Sequence, residues 1–151
     1  MTKDKILQLK ISLEGISPKI WRRFCVRNSS FHQLHAVIQA VMGWDNYHLY
    51  SFRIGKKELQ EEKSDDFGDE EVMSSKKEKI GILKEKQRFS YTYDFGDNWK
   101  HEIIVEKILE PEEGKIYPFC IEGERNCPPE DCGGVWGYSD LMAMRKNKKH
   151  P

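Results

Sequence analysis

Leu7, Leu9, Ile11 and Leu13 alternate with Gln8, Lys10 and Ser12. The same period of two returns at Phe89, Tyr91 and Tyr93, and again at Ile103 and Val105. Successive side chains on a strand point to opposite faces, so a chain patterned this way must build a sheet with one apolar face. Ile20 to Val26 extends the pattern, with Ile20, Phe24 and Val26 on one side. Gly15 to Pro18 supplies a turn between the first two segments, which read as a hairpin. Asp94-Phe95-Gly96-Asp97-Asn98 supplies the turn for a second hairpin.

An apolar face needs a cover. Phe31, Leu34, Val37, Ile38, Val41 and Met42 recur at spacings of three and four, which makes one apolar helical stripe. Ser30 and Gln33 fit a capping box at its start, and Gly43 fits a left-handed cap at its end. Tyr47 to Ile54 reads as a third strand, with Gly55-Lys56-Lys57 as its turn. The order implies an α+β fold: an antiparallel-dominated sheet of hairpin, helix, strand and hairpin, with the helix packed on one face. An irregular Gly, Pro and Cys loop over 115–137 and a short C-terminal helix through Leu141, Met142 and Met144 complete it.

The 151 residues fit a single domain over 1–151. Residues 60–79 are charged and nearly free of large apolar groups, so they are expected to form a mobile loop. Lys and Arg total 25 and Asp and Glu total 25, which removes the global basic field of a non-specific nucleic-acid binder. No apolar run approaches the ~20 residues of a membrane span, so no membrane partner is expected. The start leads into a strand instead of a signal-peptide block, which points to the cytoplasm and to reduced cysteines.

Cys120, Cys127 and Cys132 cluster, with six and four residues between them. Zinc would need a fourth ligand from His101, His48 or Cys25, and no Cys-x-x-Cys knuckle occurs. The cysteines therefore read as structural, with no metal and no cofactor. Glu130-Asp131 sits between Pro128-Pro129 and Gly133-Gly134, which would fix both carboxylates in a loop. Asp94-Phe95-Gly96 matches the kinase metal triplet, but the phosphate loop and catalytic loop of a kinase are missing. Asp94, Asp97 and His101 gather at one sheet end, and His48 on a neighbouring strand would complete a polar pocket. Arg22 and Arg23 point to opposite faces of their strand, and one of them can reach a carboxylate such as Asp94 or Glu130. His35 lies on the helical stripe and reads as a packed histidine.

Four blocks carry a resemblance: Pro18 to Arg23; Leu34 to Trp44 with His48-Leu49; Tyr93 to His101; and Cys127 to Gly134 with Gly137-Tyr138. In this order they resemble the Ri-plasmid open-reading-frame-three-like family, found on plasmids, beside transposons and in many chromosomes. The resemblance implies no established activity, catalytic residue or cofactor. It also implies that relatives continue past His150-Pro151, so this chain is expected to be C-terminally truncated relative to them.

The leading expectation is a non-catalytic binding or adaptor module that serves mobile genetic elements through a protein partner. One alternative is an enzyme with a cleft formed by Asp94, His101, Glu130 and Asp131. Another is a nucleic-acid accessory protein. The candidate polar site comprises Arg22, His48, Asp94, Asp97, His101, Glu130 and Asp131.

Overall fold

The computed structural model describes residues 5–16, 19–46, 48–61 and 72–124. They form one sheet of eight strands: β1 (Ile6–Leu13), β2 (Trp21–Arg27), β3 (Tyr50–Ile54), β4 (Lys57–Gln60), β5 (Val72–Ser74), β6 (Arg88–Tyr93), β7 (Trp99–Leu109) and β8 (Phe119–Glu124). The spatial order is β5-β4-β3-β6-β7-β1-β2-β8. Every pairing is antiparallel except β4 with β5. A single α-helix among the described residues, α1 (Phe31–Met42), covers the apolar face.

The two-residue alternation sets which face is covered. Leu9 lies opposite Phe24, Leu7 opposite Val26, and Ile11 opposite both Arg22 and Ile103. Leu7, Leu9, Ile11 and Leu13 are all buried, and Gln8, Lys10 and Ser12 are half-buried on the other side. On that other side Arg23 forms a bidentate pair with Glu106, at 2.7 and 3.0 Å, and also meets Glu122. The guanidinium holds the Glu106 carboxyl below the usual carboxylate range.

The helix forms where its caps predict. The Ser30 hydroxyl accepts from the Gln33 N–H at 3.1 Å, and Gln33 Oε1 accepts from the Ser30 N–H at 2.9 Å. Gly43 closes the other end at φ 84°, a conformation that costs a side-chain-bearing residue more than glycine. The face turned to the sheet carries Phe31, Leu34, His35, Ile38, Gln39 and Met42. Phe31 meets Phe52 and Phe89 edge-on, at 5.3 and 6.3 Å between ring centres.

Three features correct the sequence reading. Among the described residues, the expected α+β order of hairpin, helix, strand and hairpin gives way to a single eight-stranded mixed sheet with one α-helix. The missed strands lie at or next to the sheet's edges and have weak patterns. β4 contributes one buried residue, Leu59, and β8 is exposed along nearly its whole length. β8 also occupies part of the stretch expected as an irregular loop, and the expected C-terminal helix lies outside the described residues.

The expected 60–79 loop also divides differently. Gln60 ends β4, and residues 72–79 bond into the body. The Phe31 N–H donates to the Glu78 carbonyl, and the His32 N–H donates to the Ser75 carbonyl. These are two of the N–H groups that a helix start leaves without intrahelical partners. A charged composition misled here because residues 72–79 are held largely by backbone bonds, with the Met73 side chain packed against the core.

Candidate functional site

His32 and His35 share the side of α1 that faces β3, because residues three apart on a helix are neighbours. Asn46, His48 and Leu49 come from the connection between α1 and β3, Tyr50 from β3, and Glu61 from the bend just after β4. Together these seven residues line a pocket of about 310 Å³.

Its floor is a closed ring of hydrogen bonds. The Asn46 N–H donates to Gln39 Oε1 at 2.7 Å, and Gln39 Nε2 donates to the Tyr91 hydroxyl at 2.9 Å. The Tyr91 hydroxyl meets His35 Nδ1 at 2.7 Å, and His35 Nε2 meets Asn46 Oδ1 at 2.7 Å. The Asn46 oxygen can only accept, so His35 carries its proton on Nε2 and Nδ1 accepts from Tyr91. Burial pushes His35 down to about 4, so the imidazole is neutral at pH 7. The Tyr50 ring stacks on His35 with ring centres 3.6 Å apart. The Tyr50 hydroxyl meets His32 Nδ1 at 2.7 Å and the Ser75 hydroxyl at 2.6 Å. Burial pushes Tyr50 up to about 12.

The residues singled out from sequence separate into different roles. His48 Nε2 lies 3.4 Å from Asp94 Oδ2, so these two do come together at the pocket's rim. Asp94 has φ 61°, and its Oδ1 accepts from the N–H groups of Gly96 and Asp97, which holds the turn between β6 and β7. Asp97 lies in that turn.

His101 is fully buried beneath the sheet's cover instead of facing a cleft. Its Nδ1 meets the Tyr91 carbonyl at 3.1 Å, and its Nε2 accepts from the Trp44 indole at 3.3 Å. Both nitrogens are occupied only in the neutral Nδ1–H form, and burial pushes the group down to about 4.

Arg22 reaches main-chain carbonyls. Its Nε donates to Val41 at the C-terminal end of α1 at 2.9 Å, and an Nη donates to Glu124 in β8 at 3.0 Å. A guanidinium suits a helix C-terminus, where carbonyls lack partners and the dipole is negative. Of the two arginines, Arg23 reaches the carboxylate of Glu106.

Cys25 is buried, which pushes its thiol up, and Cys120 is exposed on β8. Glu130, Asp131, Cys127 and Cys132 lie outside the described residues. Among the described residues, no group of three or more His, Cys, Asp or Glu side chains could hold a metal ion. None of the described helices is long and apolar enough to cross a membrane.

The sequence reading missed His32, Asn46, Tyr50 and Glu61. The available signal was the His32/His35 spacing of three, beside the His48-Leu49-Tyr50 run that follows the helix.

Residues 5–151 match the family model described as plasmid pRiA4b ORF-3-like protein. The uncharacterized protein y4hQ of Sinorhizobium fredii (strain NBRC 101917 / NGR234) is 35% identical over 154 residues, which cover 96% of this chain and 75% of that protein. The crystal structure of a protein of unknown function, MM3350 from Methanosarcina mazei Go1, is similar at 40% identity with a TM-score of 0.89. That match covers 99% of this chain and 85% of the other.

Proposed function

This chain belongs to the plasmid pRiA4b ORF-3-like family, and on that footing we propose that it is a non-catalytic binding module whose pocket between α1, β3 and β4 receives a segment of a partner protein. The observation that carries this reading is the hydrogen-bond ring of His35, Gln39, Asn46 and Tyr91. It fixes the pocket floor before any ligand arrives, which lowers the ordering cost of binding. It also occupies the groups that catalysis would need free. His35 spends both nitrogens on neighbours, and the Tyr50 hydroxyl is shared between His32 and Ser75.

Exposed apolar surface lies beside the pocket. Leu49 is 65% exposed and Phe95 48% exposed. The Asp94 N–H donates to the Leu49 carbonyl, so these two side chains belong to adjoining segments. Apolar side chains around a polar pocket suit a docking site for a peptide segment. The plasmid in the family's name supports placing such a module beside a mobile genetic element.

The test is a fragment and peptide screen followed by amide NMR. Shifts gathered on His32, Asn46, His48, Leu49 and Tyr50, with no chemical change in the added compound, are expected. Shifts confined to another face, or turnover of a compound, would overturn the reading.

A further inference from the structure

Resting on that pocket being a binding site, we infer that it recognises the guanidinium or ammonium of a basic side chain on the partner protein, with Glu61 as counter-ion. Among the described residues, the pocket lining holds one carboxylate, Glu61, and neither Lys nor Arg. His48 has its own acidic neighbour in Asp94. Glu61 makes its field felt on both rings: it adds to the upward push on Tyr50 and favours the proton on His35. A cation placed there meets the Glu61 carboxylate, the charge-assisted pairing that favours guanidinium and ammonium groups.

A basic group already stands near that carboxylate. Lys76 Nζ is 3.9 Å from Glu61 Oε1, and both side chains are about half exposed. That separation is too long for a hydrogen bond, so the pair is loose and a better-placed cation can displace it. An anionic ligand finds less to hold it. The first N–H groups of α1 are spent on Glu78, Ser75 and the Ser30 hydroxyl, which closes the usual anion site of a helix start.

The test uses the full chain at pH 8, where an ordinary imidazole is neutral. Calorimetry compares the peptide acetyl-Gly-Arg-Gly-amide with its neutral citrulline counterpart and with agmatine. The arginine peptide is expected to bind at least about tenfold more tightly than the citrulline peptide, with Glu61→Gln causing a similar loss. Lys76→Met is expected to tighten binding. Unchanged melting temperatures are expected in both variants, since both side chains are about half exposed and their ion pair is loose.

Equal binding of the arginine and citrulline peptides, or no effect of Glu61→Gln, would overturn the cation assignment. Binding of agmatine without the peptide would overturn the partner-protein source. If a neutral or anionic fragment fills the pocket while the arginine peptide does not, this inference falls and the binding reading stands. If no compound perturbs the pocket, both fall.

Discussion

His35 Nδ1 accepts a hydrogen bond from the Tyr91 hydroxyl at 2.7 Å, and this contact joins the helix to the middle of the sheet across 56 residues of sequence. The same hydroxyl accepts from Gln39, so its loss strands two buried groups at once. Tyr91→Phe keeps the ring and removes only the oxygen. An unsatisfied buried polar group costs about 1–3 kcal/mol. Urea melts at pH 7 are expected to show a loss in this range. A loss under about half a kcal/mol would mean that the ring of bonds does not hold the pocket floor.

The two buried histidines set an acid limit. His35 and His101 titrate at 6.5 when unperturbed, and both are pushed to about 4, chiefly by burial. Between these values the unfolded chain binds protons that the folded chain refuses, so stability falls as pH drops from 6.5 towards 4 and levels off below. Each shift corresponds to at most about 3 kcal/mol. Glu106, held low by Arg23, adds a second loss that begins below its ordinary 4.5. Urea melts across pH 4–7.5 check the slope. A flat profile between pH 6.5 and 4.5 would contradict the burial of both imidazoles.

Gly123 marks where β8 approaches β2 too closely for any side chain. A Cβ there would lie 2.6 Å from Arg22 Cδ and 2.7 Å from the Trp21 carbonyl oxygen. Overpacking of this kind costs about 1–3 kcal/mol. Gly123→Ala is expected to speed amide hydrogen exchange in Phe119–Glu124 and to weaken the Arg22 contact with α1. Unchanged exchange in β8 would show that the strand does not depend on this close approach.

Leu34 is 1% exposed at the centre of the helix stripe. Leu34→Ala is expected to cost about 2–5 kcal/mol in urea melts. A neutral result would place α1 on the wrong face of the sheet.

The strongly alternating strands and the capped helix could be read from sequence because burial writes a period into them. β1, β6, β7 and α1 all carry that signature, and Ser30, Gln33 and Gly43 mark the helix ends. The strands at or next to the sheet's edges could not be read this way. β8 is largely exposed and β4 contributes only Leu59 to the core, so neither needed a periodic pattern. The candidate site was legible only in part. His48 and Asp94 do meet, whereas His101 and Arg22 serve the core and the helix end. Chemistry-bearing residue types do not reveal which of their atoms are already spent. His32, Asn46 and Glu61 converge through topology that local patterns do not record.

Histidine-selective ¹⁵N NMR during a titration with the arginine peptide tests the preformed pocket most directly. The expected result is that His35 stays neutral with its proton on Nε2 throughout, His32 and His48 shift with peptide, and His101 does not move. A His35 ring that titrates near 6.5 in the free protein, or a peptide response centred on His101, would contradict the account.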